Sequence, residues 1–312
     1  MTRAIDDRAA ALEPASRRVL EFWMQLAPPL RPSPEDIAAL ERLWNPPPAP
    51  RVLILGATPE LIDLALRRGA RRVVAMDWQA AVFPAMRALA TTDWTGVESV
   101  VRDWREPMPE LDGGIDTVFG DGSTALLTFP DDWTILFRTV YRYLVPGGQL
   151  LLRTGIRPEP PFEFEPYFRD ALARFDADCA AARDGPRAAL MRGLLSELWM
   201  ARGLGAARAD GTIDTARRAV FTELVNRELT ARYGHWDDWP TLSRALPRIE
   251  PEGEKEMRGR GGPSREQAAG VFDACGFDME HDESHSRRPA PGVMRIFGLR
   301  RRSPGHAPEG KG

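Results

Sequence analysis

The sequence predicts an α/β protein built on a doubly wound, mostly parallel sheet. Three observations carry that expectation. Short apolar runs closed by turn formers recur between residues 52 and 153, and several end on Gly or Asp. Stretches with apolar residues at helical spacing separate them. Two further apolar runs return near the end of the chain, after a long region without any strand signal.

Residues 1–50 read as an N-terminal helical segment, with helical patterns at Arg17–Leu26 and Pro34–Trp44 and a stop at the proline-rich NPPPAP. The run Val52-Leu53-Ile54-Leu55, ending at Gly56, is a strand buried on both faces. Thr58 offers a cap to the following helix, and Pro59 suits its first position, where no donor is missed. Arg72–Met76 ends at Asp77, Glu98–Val101 ends near Asp103, and Ile115–Phe119 leads into Gly120-Asp121-Gly122-Ser123. Phe83–Ala90 is a helix between the second and third strands. Another begins at Asp131 and Asp132, where acidic side chains favour a helix N-terminus. Pro146-Gly147-Gly148 turns the chain into a fifth strand, Gln149–Arg153. Strand and helix alternating in this way imply parallel pairing by right-handed crossovers.

Residues 51–156 therefore form the first part of a core, and 157–258 a helical insertion with helices at Tyr167–Ala182, Pro186–Arg202 and Thr215–Tyr233. Residues 259–302 complete the sheet through a helix from Ser264 to Ala274 and strands at Phe277–His281 and Val293–Leu299. Residues 303–312 read as a disordered tail.

Composition narrows the function classes. The chain has 42 basic and 45 acidic residues and a formal charge of -3, so no polyanion partner such as nucleic acid is expected. Only Lys255 and Lys311 among the basic residues are lysine. No apolar run approaches the roughly 20 residues of a membrane span. The N-terminus has neither a secretory nor a transit pattern, and Cys179 and Cys275 are too few for a disulfide framework or a structural zinc site. A cytoplasmic protein without a resident metal is the expectation.

In an open parallel sheet, ligands bind beyond the carboxyl ends of the strands, where the strand order reverses. A glycine there admits a ligand close to the backbone, and Asp77, 21 residues after Gly56, can accept hydrogen bonds from two ribose hydroxyls. Asp103 offers an acceptor for an exocyclic adenine amine, and Trp78 or Trp104 an aromatic face for the purine. Together they describe a nucleoside pocket. The turn reads Gly56-Ala57-Thr58-Pro59-Glu60, not Gly-x-Gly-x-x-Gly. Pro59 removes a donor and Glu60 adds negative charge where a pyrophosphate would sit. An amino-acid end carrying an ammonium tolerates that acid better.

The segments VLILGATPEL, MDW, VVRDW, IDTVFGDGS, LVPGGQLLLRT and QAAGVFDACGF with two closing strands resemble the class I S-adenosylmethionine-dependent methyltransferases, over roughly residues 51–156 and 264–300. The resemblance implies a Rossmann-like seven-stranded sheet whose last strand is antiparallel, with S-adenosylmethionine as cofactor and S-adenosylhomocysteine as product. It implies that the turn at Gly56 lies against the cofactor's methionine portion, that Asp77 holds the ribose and that Asp103 contacts the adenine, with Ala57, Thr58, Trp78, Trp104 and Gly120 completing the cofactor-binding set. Only Gly56 of the usual two or three first-motif glycines is present, and no signature for a nucleobase or protein acceptor follows the fourth strand. A small-molecule acceptor, methylated by in-line displacement at the sulfonium, fits best. Asp121 is the candidate catalytic base, or else a turn residue or a holder of the cofactor's ammonium. Tyr167, Trp199, Tyr233 and His235 are the insertion's candidate substrate contacts, unless the aromatics form a core of their own. The insertion should form a lid, and the N-terminal helices should cover the pocket or make a homodimer contact. An aminopropyltransferase of the spermidine synthase type and a non-catalytic nucleoside-binding protein are the alternatives.

Overall fold

Val52, Leu53, Ile54 and Leu55 each expose no more than 1% of their surface, which places their strand, β1 (Arg51–Leu55), at the centre of a sheet. β2 (Arg72–Asp77) and β4 (Ile115–Asp121) pair with β1 on either side, both parallel to it. β3 (Val97–Val101) lies beyond β2, and β5 (Leu144–Gly155) lies beyond β4. β7 (Met294–Arg301) is antiparallel to both β5 and β6 (Phe277–Glu283). The order is β3-β2-β1-β4-β5-β7-β6. Seven strands and an antiparallel last strand are as expected. This computed structural model describes residues 8–182, 187–246, 262–285, 288–290 and 292–303. The expected boundary at 258–259 and most of the tail at 303–312 lie outside them.

Helices cover both faces. α1 (Pro14–Gln25), α2 (Pro34–Leu43), α3 (Pro59–Arg67) and α4 (Val82–Arg87) bury Leu20, Leu40, Ile62 and Met86 against Ile54, Ala75 and Leu151. On the opposite face α5 (Asp131–Tyr143) and α10 (Arg265–Ala274) bring Trp133, Phe137 and Phe272 onto Leu53, Leu152 and Phe297. Each buried side chain of this size is worth about 1.5–3 kcal/mol.

The insertion comprises α6 (Phe164–Ala181), α7 (Arg187–Ala206), α8 (Thr215–Tyr233) and the short α9 (Trp239–Leu242). They bury Phe168, Phe175, Leu198, Val225 and Tyr233 in a third apolar cluster of their own.

Local chemistry explains most boundaries. Ser33 and Asp36 form a reciprocal capping box at α2, as Ser264 and Gln267 do at α10. Thr58 is different, because its hydroxyl makes no capping bond. Pro59 fills the first helical position there, and the amides of Leu61 and Ile62 bond to the Thr58 carbonyl. The fifth strand also begins earlier than the sequence suggests. Leu144 pairs with Ile115 and Gln149 with Thr117, so the Pro-Gly-Gly turn bulges out of a continuous β5. Gly148 permits this, since a Cβ there would stand 2.9 Å from the Val145 carbonyl oxygen.

Candidate functional site

The chain reverses direction across the sheet between β1 and β4, and the residues following their carboxyl ends meet there. Gly56 has φ of +103°, a conformation that L side chains rarely adopt, and its amide donates to the Met76 carbonyl at 2.7 Å. A Cβ at Gly56 would lie 3.9 Å from Asp77 Oδ2 and 4.0 Å from the Trp104 ring. Turn, carboxylate and indole thus share one corner, with Ala57 and Thr58 buried beside them.

Asp77 Oδ1 accepts from the Gln79 amide at 2.9 Å, which leaves Oδ2 toward the turn. Burial pushes this carboxyl above its ordinary range, while the amides of Gln79 and Trp78 pull the other way. Trp104 is buried and donates from Nε1 to the Met76 carbonyl at 2.6 Å, so its ring plane is fixed. Trp78, the next residue after Asp77, is 59% exposed. Asp103 is gripped by Arg105, at 3.0 Å through Nε and 2.6 Å through Nη2, and Arg105 also reaches Asp132 at 2.8 Å. The Arg105 contact holds the Asp103 carboxyl below its usual range. Its oxygens face a guanidinium.

At the end of β4 the packing is closer. A Cβ on Gly120 would meet Leu152 Cδ1 at 2.8 Å and Ser123 Oγ at 2.9 Å. Ser123 is 3% exposed and its hydroxyl has no hydrogen-bond partner among the described residues. Glu60, in the first turn of α3, pairs with Arg31 through one oxygen, while its Oε2 is buried without a partner. Two unmatched polar atoms therefore flank the β1–β4 crevice, and each such atom costs about 1–3 kcal/mol unless a ligand meets it.

Asp121 does not project freely as a base would. Its Oδ1 accepts from Arg153 Nη1 at 2.7 Å. Arg153, on β5, also donates from Nε to Asp36 Oδ2 at 2.9 Å and from Nη2 to the Pro29 carbonyl at 2.8 Å. With 1% of its side chain exposed, Arg153 ties the N-terminal segment to the carboxyl ends of β4 and β5. Burial pushes the Asp121 carboxyl up against the pull of Arg153, and the charges of Glu60 and Asp36 add to the rise.

A cleft of about 410 Å³ opens on the other side of this network. Asp36 and Arg153 line it, with the link between α1 and α2, the faces of α6 and α7, and His285 beyond β6. None of the insertion's four expected contacts lines it; Tyr167 donates its hydroxyl to the lining residue Glu197, and Tyr233 packs edge-on against the lining ring of Phe175 at 5.2 Å. Tyr233 is buried among the insertion helices and donates to Asp176 at 2.7 Å. Trp199 lies under Arg202, with 5.5 Å from the guanidinium to the ring centroid, and His235 is exposed beside Trp236. Arg153 and Asp36 escaped the sequence reading, which reached Ser123 only as part of the segment after the fourth strand. An arginine following Leu150-Leu151-Leu152 in a buried strand was the one available signal, because a charge there needs partners from elsewhere in the fold.

No family model matches the chain, and no curated protein matches it. Among solved structures it is similar to one from Rhodobacter sphaeroides with the provisional description of a Zn-dependent alcohol dehydrogenase. That likeness is at 18% identity and a TM-score of 0.50, covering 91% of this chain and 98% of the other. It is also similar to an S-adenosylmethionine-dependent methyltransferase from Mesorhizobium loti, at 15% identity and a TM-score of 0.46, over 85% and 96% of the two chains. A third is the 1,6-didemethyltoxoflavin-N1-methyltransferase of Burkholderia thailandensis, at 13% identity and a TM-score of 0.46, over 86% and 76%. At these identities the likeness is one of fold. The sheet order is that of the class I methyltransferase fold. Among the described residues no three His, Cys, Asp or Glu side chains gather as a cation site, and no helix is long and apolar enough to cross a membrane.

Proposed function

We propose that this protein is an S-adenosylmethionine-dependent methyltransferase acting on a small molecule. The observation that carries the reading is the meeting of Gly56, Asp77 and Trp104 at the carboxyl edge of β1 and β2. The corner suits a nucleoside. Asp77 Oδ2, turned toward Gly56, would accept from ribose hydroxyls, and the left-handed turn at Gly56 would let the ligand approach the backbone.

The unmatched atoms suit the remainder of the cofactor. Glu60 Oε2 supplies a negative acceptor for an ammonium, and Ser123 Oγ supplies a hydroxyl beside Gly120. The absence of a Gly-x-Gly-x-x-Gly turn, with Pro59 and Glu60 in its place, counts against a pyrophosphate. When bound, the sulfonium supplies an electrophilic methyl. The chain's own part is to hold the nucleoside with Asp77, to fix the far end with Glu60 and Ser123, and to align an acceptor. The Asp121–Arg153–Asp36 network would keep the strand ends and the N-terminal segment in register around that acceptor. As Arg153 already engages Asp121, alignment takes the larger share and Asp121 acts by position and charge. A cytoplasmic setting agrees with Cys179 and Cys275, both free thiols.

Calorimetry with S-adenosylmethionine, S-adenosylhomocysteine and NAD tests this reading. Saturable binding of the first two, with none for NAD, is expected. Tighter binding of NAD, or no binding of either sulfur compound, overturns it.

A further inference from the structure

The link between α1 and α2 meets the first turn of α3 through an ion pair. Arg31 donates from Nη2 to Glu60 Oε1, and its guanidinium lies 5.5 Å from the centroid of the Trp23 ring. The link is also held independently of that pair. The Ala27 amide donates to Ser196 Oγ at 2.8 Å, and the Pro29 and Arg31 carbonyls accept from Arg153 Nη2 at 2.8 and 3.3 Å. The backbone at Arg31 is therefore fixed by the sheet and the insertion, so its side chain is presented from an ordered base.

Around this pair the polar atoms are incompletely matched. Glu60 Oε2 is buried without a partner among the described residues, and so is Trp23 Nε1, an indole nitrogen that can only donate. Both residues adjoin the Arg31 guanidinium, and of its five N–H groups the Glu60 contact takes one. The set is neutral overall yet offers both signs: donors from Arg31 and Trp23, and an acceptor from Glu60. A ligand that meets all three carries a planar anion for the guanidinium and a cation for the carboxylate. An α-amino acid has the two on one carbon atom. The position agrees, because Glu60 follows the turn at Gly56 by four residues and its charge acts on Asp121 at the end of β4.

We propose that Arg31 and Trp23 bind the carboxylate of the cofactor's amino-acid end while Glu60 binds its ammonium, which makes the N-terminal segment part of the cofactor site. The proposal rests on the methyltransferase reading and adds two specificity-determining residues from outside the sheet. A carboxylate at this place meets the Trp23 N–H and the remaining donors of Arg31, and an ammonium meets Glu60 Oε2. An aminopropyl donor, which lacks the carboxylate, would leave Trp23 unmet and bring a lone cation to an acid that Arg31 already holds.

Calorimetry on the full-length protein compares S-adenosylmethionine, its decarboxylated form, and 5′-methylthioadenosine, which keeps only the nucleoside end. The parent is expected to bind S-adenosylmethionine about tenfold more tightly than the decarboxylated form. Arg31→Gln is expected to lose about tenfold in affinity for S-adenosylmethionine, and Trp23→Phe, which keeps a ring but no N–H, about threefold. Neither variant should bind the decarboxylated form or 5′-methylthioadenosine more weakly than the parent does. Equal or tighter binding of the decarboxylated form by the parent, unchanged S-adenosylmethionine affinity in either variant, or an equal loss for all three ligands in both variants overturns the proposal. The cofactor reading survives these results as long as the parent binds S-adenosylmethionine and 5′-methylthioadenosine. Failure of the parent to bind either compound is the distinct result that overturns the methyltransferase reading and this proposal with it.

Discussion

Asp77 combines two opposed demands. Its burial disfavours the charged form, yet a ribose needs the charged form as acceptor. Affinity for S-adenosylhomocysteine should therefore be flat at high pH and fall as pH drops through the raised Asp77 value, beginning above the ordinary aspartate range near about 3.9. Asp77→Ala should weaken binding at least tenfold and abolish that pH step, with little change in unfolding midpoint, since a desolvated charge has been removed. Calorimetry across pH checks both; an unchanged affinity would remove Asp77 from the ribose role. Arg153 presents the reverse case. Replacing it with Met leaves Asp36 and Asp121 buried without their guanidinium, and urea unfolding should show a loss of about 3–5 kcal/mol. Asp121→Asn should cost less, because Arg153 keeps Asp36 and the Pro29 carbonyl. Equal losses in the two variants would show that the network is not centred on Arg153.

Among the elements, α3 is joined through one carboxylate to the segment that leads into β3. Asp63 accepts from the Thr91 amide at 2.8 Å, the Thr92 hydroxyl at 2.6 Å and the Trp94 indole at 2.7 Å. Burial works to raise its pKa, but these bonds, led by Thr91, hold it below the usual value. Its folded-state value is thus lower than its unfolded one. The stability it adds is full above the unfolded value and is lost as pH falls through the depressed one. Asp63→Asn should destabilise the protein at neutral pH by about 1–3 kcal/mol, and the gap from the parent should close in acid; a gap that is constant with pH would deny the charge its part.

At this scale the sequence is a good guide wherever local chemistry decides. Pro59, Ser33 and Ser264 mark helix starts because proline geometry and capping oxygens act within a few residues. Apolar runs give the strands because burial on both faces leaves no polar position. Partnership over long separations was not legible. Nothing near Arg105 in the chain announces that, besides its neighbour Asp103, it will hold Asp132, 27 positions away, and nothing near Tyr233 names Phe175 as the ring it packs against. The same holds for Arg153, whose partners come from 32 and 117 positions away.

For the whole molecule, the last segment is structural. α10, β6 and β7 supply Phe272, Phe277, Phe297 and Leu299 to the cluster beneath β4 and β5, and β7 covers the open edge of β5. A chain ending at residue 263 should therefore fail to unfold cooperatively in urea and should bind apolar dyes. A sharp cooperative transition in that truncation would mean that the first five strands suffice.

That arrangement bears on how the protein is made. β5 ends at Gly155, and its partner β7 begins only at Met294. A ribosome must deliver the whole insertion before the strand that seals the sheet exists. Until then the nascent chain presents an unsealed edge of Leu150, Leu151 and Leu152, the kind of surface on which chains aggregate. The insertion's separate apolar cluster lets those helices gather on themselves during the wait, so that what emerges last finds its slot still open.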